Sequence, residues 1–359
     1  MVTSLVTEVQ VVKAPPAFGG PACLLVRLVS DTGGIGLGEL GSGPVEDLTD
    51  AVEWVSARLV GSPVTDRQAA WHRFRGAADD WEDEEWLAAT ALAGLDAAMW
   101  DLGAKSLGVP LTVLMGGQAR SRLDVCVDCG EVTDAAAVGA ANTWLAAGIR
   151  AFSFSAANAP QLPDALRNTR RVLGVDPLIV LRLRGNARSV EDATKLGAMV
   201  DQFEPYWVEG LLPDGQWSEL GRVRAAIASP TGAGAETVGV HRFWRALESQ
   251  CADVVTPSLA LCDGPTGVLR LADLVELRGL RMALDAGDSL VSVLTAAAVC
   301  FARQGVTPLR LSSPALQALI ACAPERVRDG FLLPGAGEGI GIADIPEADL
   351  DIIASFPGE

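Results

Sequence analysis

The feature that most constrains the fold is a regular alternation of short apolar runs with amphipathic helical segments between residues 123 and 311. Eight of these runs have the character of β-strands, and helix-forming segments such as 135–147 and 190–203 fill the gaps between them. The strand-like runs are residues 123–128, 151–155, 178–184, 206–209, 231–235, 253–256, 281–284 and 308–311. This α/β pattern predicts a parallel β/α barrel, whose active site lies at the carboxyl ends of the strands.

The N-terminal part of the chain has a different pattern, which predicts a β-meander followed by helices. Residues 6–12 and 23–29 are strand-like, and a Gly-containing turn at 31–34 leads into a third run. A loop rich in Pro and Gly at 13–20 separates the first two runs. Residues 45–107 have helical character. This part therefore combines a small sheet with helices.

The composition argues against several classes of protein. The chain has 359 residues, with 45 acidic and 28 basic side chains and a formal net charge of −17, which disfavours binding to nucleic acid or to an anionic membrane. No apolar run approaches the roughly eighteen residues of a membrane span, and the first residues lack the pattern of a secretory signal. Seven cysteines, an odd number, do not suggest a disulfide framework. We expect a cytoplasmic protein of two domains, or one large barrel with an appendage.

Three stretches of the sequence resemble the enolase superfamily, in its mandelate racemase and muconate-lactonizing branch. They are the meander that ends in Gly34-Ile-Gly-Leu-Gly-Glu39, the helix at 91–110 with Leu114-Met-Gly-Gly117 after it, and the segment Pro334-Gly-Ala-Gly-Glu-Gly-Ile-Gly341. The resemblance implies an N-terminal α+β capping domain at 1–118, a (β/α)7β TIM-like barrel at 119–330, and a C-terminal segment at 331–359 that packs back on the cap. By the same analogy we expect a homo-oligomer.

The resemblance also implies a chemistry, which is proton abstraction next to a carboxylate by Lys or His bases. The two lysine positions are occupied by Ser153 and Ser155, whose side chains share one face of a strand. A serine hydroxyl is no base at neutral pH without help, so these serines are either catalytic or merely fill space. The sixth-strand position falls on Ser258 and the seventh on Asp285. Asp285 is either the remaining base or the cap of the next helix, a role that Asp288 is also placed to fill.

The metal site that the resemblance implies, a Mg²⁺ ion held by three strand-end carboxylates, lacks one ligand in this sequence. The first ligand position falls on Leu183 or Arg184, depending on the alignment, and we favour Arg184, which shares a face with Arg182. The second falls on Glu209 and the third on Glu236. We predict that Arg184 or Arg182 replaces the charge of the metal between these two carboxylates. We expect no cofactor, and Mg²⁺ is implied by the resemblance alone.

These residues are compatible with three functions. The first is a lyase or isomerase that acts on a small carboxylate-bearing molecule without the usual lysines and full metal site. Arg182 would then hold the substrate carboxylate, and Lys13 and Phe18 in the 13–20 loop would also contact the substrate. The second is a non-catalytic barrel that binds a ligand or a partner protein. The third is a Mg²⁺-dependent dehydratase or racemase with a substitute ligand.

Overall fold

The computed structural model describes residues 4–15, 18, 23–78, 85–157, 160–184 and 187–358, and its N-terminal part is an antiparallel sheet packed against helices. The strands are β1 (Val6–Lys13), β2 (Leu24–Ser30) and β3 (Ile35–Leu40). The helices are α1 (Val45–Ser56), α2 (Arg67–Ala78), α3 (Glu85–Ser106) and α4 (Leu111–Leu114). None of the helices within these ranges is both long enough and apolar enough to cross a membrane.

Helix α3 lies directly on strand β3, and two glycines of β3 make this close approach possible. A Cβ atom on Gly36 would lie 2.2 Å from the backbone oxygen of Ala98, and one on Gly38 would lie 1.9 Å from that of Gly94. These distances are far shorter than van der Waals contact, so only glycine fits at the two positions. The Gly-x-Gly pattern therefore fixes the end of β3, including Glu39, against α3.

The second part of the chain is a closed barrel of eight parallel strands, which confirms the predicted fold. The strands are β4 (Leu123–Glu131), β5 (Ala151–Ser155), β6 (Leu178–Arg182), β7 (Trp207–Glu209), β8 (Thr231–Ala233), β9 (Val254–Val255), β10 (Arg281–Asp285) and β11 (Val306–Ser312). Strand β11 pairs in parallel with β4, which closes the barrel. The helices are α5 (Ala135–Ala146), α6 (Leu162–Leu173), α7 (Val190–Asp201), α8 (Trp217–Arg224), α9 (Phe243–Glu248), α10 (Gly264–Leu277), α11 (Leu290–Ala302) and α12 (Ser313–Cys322).

Alternate residues of the barrel strands face two different layers. One set packs between the strands and the surrounding helices and forms the large apolar core. The other set points into the barrel, where six side chains form a small apolar cluster: Cys126, Ala151, Val180, Trp207, Val254 and Ala283. By the same alternation, the next inward-facing residue towards the carboxyl end of each strand lies above this cluster. Those residues are largely polar, and they line the open end of the barrel, which we call the mouth.

The C-terminal segment returns to the N-terminal part. Strands β12 (Val327–Arg328) and β13 (Phe331–Leu332) form a short hairpin on β4, and β14 (Asp351–Pro357) pairs antiparallel with β1. The buried Asp101 of α3 joins three segments. Its carboxylate accepts hydrogen bonds from the backbone N–H groups of Leu37, at 3.0 Å, and Ile340, at 2.8 Å, and lies 2.7 Å from the ammonium of Lys105.

We expect Asp101→Ala to lower the free energy of unfolding by about 3–5 kcal/mol, because it leaves a partly buried ammonium and two backbone donors without their acceptor. Asp101→Asn keeps one acceptor oxygen and should lose less. The surface variant Glu191→Ala, which breaks an exposed i,i+4 pair with Lys195, serves as the control and should change stability little. Urea unfolding measures all three, and equal losses for Asp101→Ala and Glu191→Ala would contradict the expectation.

Candidate active site at the barrel mouth

Five charged side chains from five different strands meet at the mouth and alternate in sign. The guanidinium of Arg182 lies 2.7 Å from Asp128 and 3.2 Å from Glu209. The guanidinium of Arg310 donates to Glu209 and, at 2.8 and 3.1 Å, to Asp285. The order Asp128–Arg182–Glu209–Arg310–Asp285 is called the charge ladder below. It crosses the mouth from β4 through β6, β7 and β11 to β10.

The ladder neutralises charges that burial alone would disfavour. Burial by itself raises the pKa of Asp285, but the positive charges of Arg310 and Arg182 outweigh it and hold this pKa below its usual value. Burial likewise lowers the pKa of Arg310, while Glu209 and Asp285 raise it above its ordinary value. Arg310 is only 2% exposed, so it is a fixed cation in the wall of the site. Each charge therefore depends on its neighbours in the ladder.

The described residues do not fit a Mg²⁺ ion. That ion requires a nearly octahedral set of oxygen ligands, whereas an oxygen of Glu209 already contacts both guanidiniums. Arg182 occupies the inward-facing position on the strand where the first carboxylate was expected. Within the part of the chain that the structure describes, no group of three or more His, Cys, Asp or Glu side chains is arranged to hold a metal.

Glu236 does not join the ladder, and the prediction that an arginine lies between Glu209 and Glu236 is wrong. Glu236 is exposed beyond the end of β8, next to Asp214, and makes no ion pair with an arginine within the described residues. Both carboxylates line a second, smaller cavity of about 50 Å³, which Arg182, Arg184 and Glu209 also line. Burial raises the pKa of Asp214 despite its hydrogen bonds from Thr237, and the negative charge of Glu236 raises it further.

The choice between Leu183 and Arg184 at the first ligand position is also corrected, because neither side chain enters the barrel. Leu183 is fully buried in the layer between strands and helices. Arg184 follows the end of β6 with a φ of 54°, its side chain is 61% exposed, and it pairs with Glu131 at 3.2 Å. The left-handed turn breaks the alternation that placed Arg184 on the same face as Arg182. Arg182 alone carries out the predicted pairing with Glu209.

A cavity of about 380 Å³ lies above the ladder, between the barrel and the N-terminal part. Asp128, Arg182 and Asp285 line it from the ladder side, together with Ser258. The N-terminal part contributes the following lining residues: Glu39, Gly41, Ser42, Trp86, Thr90, Ala93 and Ala97. The cavity therefore has charged groups on one wall and hydroxyl, apolar and carboxyl groups on the other.

The two serines at the expected lysine positions lie inside the barrel and do not line this cavity in the described structure. Ser153 is fully buried, and its hydroxyl has no hydrogen-bond partner within the described residues. Ser155 is 4% exposed. The structure therefore places both hydroxyls inside the barrel on β5.

Asp285 does not cap the helix that follows it, and neither does Asp288. The N-cap of α11 is Ser289, whose hydroxyl accepts a hydrogen bond from the backbone N–H of Ser292 at 3.0 Å. Asp285 instead accepts from Arg310 with one oxygen and from the Gly287 N–H, at 3.3 Å, with the other. Its surroundings make it an ion-pair partner.

Lys13 and Phe18 are not among the described residues that line the cavity, so their predicted contact with a substrate has no support from this geometry. Lys13 is exposed on β1 and pairs with Asp351 at 3.3 Å. Phe18 is partly buried and packs against the large apolar core. Residues 16–17 and 19–20 of the same loop lie outside the described residues.

The sequence analysis missed three residues of the site: Asp128, Arg310 and Glu39. Arg310 lies between Leu309 and Leu311, and Asp128 follows Val127, so the alternation of each strand points both charges inward. An arginine flanked by leucines in a barrel strand was therefore a usable signal. Glu39 belongs to the N-terminal part and reaches the cavity only through the packing of β3 on α3, which the sequence pattern does not reveal.

Comparison with known proteins gives two family matches that together span most of the chain. The mandelate racemase and muconate-lactonizing enzyme N-terminal domain matches residues 9–116, and the enolase C-terminal domain-like family matches residues 136–347. These two matches correspond to the N-terminal part and to most of the barrel.

Similar proteins act on sugar acids or bind them. A D-galactarolactone cycloisomerase of Agrobacterium fabrum is 26% identical over 356 residues, covering 94% of this chain and 92% of the relative. A D-galactonate dehydratase family member of Chromohalobacter salexigens is 24% identical, covering 93% and 91% of the two chains. The fold matches that of an enolase from Pantoea ananatis with bound D-gluconate and magnesium, with a TM-score of 0.83, 18% identity and coverage of 96% and 94%.

Arg310→Met should lower the free energy of unfolding by about 3–5 kcal/mol at pH 7.5, because it leaves Glu209 and Asp285 buried without their shared cation. The ion pair lowers the pKa of Asp285 in the native protein, so its stabilisation is present above the unfolded pKa and is lost as the pH falls through the folded value. In the variant Glu209 and Asp285 lose the cation between them, and protonation of one carboxylate at lower pH relieves the damage. The loss should therefore be smaller at pH 5.

Arg184→Met is the matched control, since its guanidinium is exposed and pairs with Glu131 outside the ladder. It should leave stability nearly unchanged at both pH values. Urea unfolding of the wild type and both variants at pH 5 and 7.5 makes the measurement. An Arg310→Met loss that is the same at the two pH values would show that packing, not charge, accounts for the role of Arg310.

Proposed function

Because the chain belongs to the mandelate racemase and muconate-lactonizing branch of the enolase superfamily, we propose that it is a lyase or isomerase acting on a small sugar acid. The observation that carries the proposal is the charge ladder, whose Arg182 faces a cavity of about 380 Å³. Pockets of a few hundred cubic ångströms hold small-molecule ligands. The similarity to a cycloisomerase and to a dehydratase family member of sugar-acid metabolism supports the substrate class.

In the proposed complex Arg182 binds the substrate carboxylate. Its side chain is 28% exposed, and it lines the cavity while Asp128 and Glu209 hold it from below. A guanidinium presents several parallel donors, which match the two oxygens of a carboxylate. When the proton next to that carboxylate is removed, negative charge accumulates on the same oxygens. A cation already in place there stabilises the transition state more than the ground state.

The proposed reaction uses no metal, because the guanidinium of Arg182 places a positive charge at the cavity, where the carboxylate of the substrate would bind. Arg310 lies behind Arg182 and shares Glu209 with it. Asp285 and Glu209 are proposed to orient Arg310, and the lowered pKa of Asp285 makes that carboxylate a weak base. The polar side chains Ser42, Thr90, Ser258 and Ser312 also line the cavity and are proposed to bind the hydroxyls of the substrate.

A second function, a barrel that binds a sugar acid without converting it, is favoured by one observation. Ser153 and Ser155 stand where the family carries lysines, and neither lines the cavity in the described structure. Without another proton-transfer group, the ladder and the cavity would amount to a binding site. Turnover measurements separate these two functions from each other and from a Mg²⁺-dependent enzyme.

We expect the EDTA-treated protein to bind D-gluconate or D-galactarolactone and to convert at least one of them, with no gain when Mg²⁺ is added. Isothermal titration calorimetry measures binding, and proton NMR measures conversion. Arg182→Gln should weaken binding about 10–100-fold, since it removes a charge-assisted hydrogen bond. Arg182→Lys, which keeps the charge without the planar donor pair, should be intermediate.

The control is Arg184→Gln, which should bind as the wild type does because its side chain pairs with Glu131 outside the ladder. Binding without conversion would support the non-catalytic barrel instead. Conversion that appears only with added Mg²⁺ would overturn the metal-independent mechanism.

A further inference from the structure

The proposed reaction requires a group that moves a proton, and the N-terminal part supplies one at the cavity. Glu39 is the last charged residue of β3 and lines the cavity together with Asp285 and Ser258. A Cβ atom on Gly38 would overlap with the backbone oxygen of Gly94, so only glycine allows α3 to pack this closely on β3. This packing sets the position of the next residue, Glu39. Its carboxyl group is therefore held in the wall of the site.

The carboxyl group of Glu39 lies close to the ladder. It accepts hydrogen bonds from the hydroxyl and, at 3.3 Å, from the backbone N–H of Ser289 at the start of α11. Gly287 lies next to this carboxyl group, since a Cβ atom built on it would be 3.6 and 3.7 Å from the two carboxylate oxygens of Glu39. Asp285 accepts from the N–H of that same Gly287, at 3.3 Å. Two carboxyl groups thus flank Gly287, one from the barrel and one from the N-terminal part.

The surroundings of these two carboxyl groups differ in charge. Burial raises the pKa of Glu39, and its hydrogen bonds from Ser289, Cys23 and Ser292 only partly offset this rise. No cation is among the described groups that act on it, whereas the arginines of the ladder hold the pKa of Asp285 below its usual value. A carboxylate with a raised pKa is the stronger base near neutral pH. Such opposite shifts assign different roles to two neighbouring acids.

The titratable groups next to Glu39 are Cys23 and Asp288, and Cys23 is too weak an acid to take over this role. Cys23 on β2 donates its thiol hydrogen to Glu39 at 3.3 Å, and burial followed by the charge of Glu39 raises its pKa far above neutral pH. Asp288, in the loop before α11, also lines the cavity and acts electrostatically on Cys23. Ser289 and Ser292 of α11 are neutral donors. From α3, the residues packed against the end of β3 include Gly94 and Ala98, which carry no charge.

We propose that Glu39 is the catalytic base of the site, taking the proton from the carbon next to the carboxylate that Arg182 holds. In a dehydration the electron pair of that C–H bond forms the C=C bond, and the hydroxyl on the next carbon leaves. The protonated Glu39 then gives its proton to the leaving hydroxide, which departs as water, and the enol becomes a 2-keto acid. No oxidant or reductant is needed. This inference rests on the proposed function of the cavity.

The test uses D-gluconate in D₂O, because exchange of its C2 proton reports the base step separately from elimination. Proton NMR follows both exchange and product. Glu39→Gln should lower both rates at least about 100-fold, the typical contribution of a general base. Calorimetric binding of D-gluconate should stay within about twofold, since Arg182 still holds the carboxylate. Glu131→Gln, a carboxylate change at the exposed partner of Arg184, is the matched control and should keep wild-type rates.

The pH profile separates a base from a residue that merely joins the two parts of the protein. The exchange rate of the wild type should rise with pH through the pKa of Glu39, because the base must be ionised. The exchange rate of Glu39→Gln should not show this rise. Ser289→Ala removes the hydroxyl hydrogen bond, which lowers the pKa of Glu39, and keeps the backbone one. The rise in exchange rate should therefore move to higher pH in this variant. If Glu39 had only a structural role, Ser289→Ala would change the unfolding temperature and leave the pH dependence of exchange unchanged.

The outcomes distinguish the two proposals. If the wild type converts D-gluconate and Glu39→Gln does so at the same rate, Glu39 is not the base, while the proposed function stands. If the wild type binds without any exchange or conversion, the enzymatic function fails and the role of Glu39 fails with it. Loss of exchange and elimination with retained binding supports both.

Discussion

The structure depends on the mutual neutralisation of five charges at the barrel mouth. Removing a charged group from water is costly unless an opposite charge replaces its hydration. Arg310, at 2% exposure, meets this condition only because Glu209 and Asp285 approach it from two other strands. The ladder therefore requires β7, β10 and β11 to hold one register. Buried pairs of this kind add less to stability than their number suggests, but breaking any one leaves an uncompensated charge.

A second constraint links the site to the rest of the protein. The contact between β3 and α3 is so close that Gly36 and Gly38 cannot be replaced without moving a backbone. Since Asp101 of the same helix also binds β3 and the C-terminal segment, the position of Glu39 is determined by three parts of the chain. A group intended for proton transfer must be held within a fraction of an ångström. The close contact of α3 with the glycines of β3 provides such support outside the barrel.

The sequence predicted those features that depend on the alternation of inward- and outward-facing residues along a strand. The predictions were wrong for residues that lie beyond the end of a regular strand. Hydrophobic periodicity located all eight barrel strands. The family resemblance placed Glu209 at the mouth, and the alternation of β6 favoured an inward-facing Arg182, and both residues lie within regular strands. Arg184 was assigned wrongly, since it lies two residues beyond the end of β6 and has a positive φ. Glu236 was assigned wrongly because the segment after β8 does not continue the strand. The pairing of Arg310 with Glu209 joins residues 101 positions apart and follows only from barrel closure.

Replacing a metal ion by arginine changes what the barrel must supply. A divalent ion brings charge and open coordination positions, whereas a guanidinium brings one charge and a fixed plane of donors. Arg182 and Arg310 together carry two positive charges, but three carboxylates hold them in place, so the ladder as a whole is negative by one charge. The positive charge that a substrate meets is therefore the local one of Arg182, the arginine that lines the cavity. A base within the ladder, such as Asp285, is weakened by the same arginines that stabilise the product of proton transfer. The proton-transfer group must therefore lie close to the substrate yet outside the ladder, and in the proposed reaction the N-terminal part meets this requirement through Glu39.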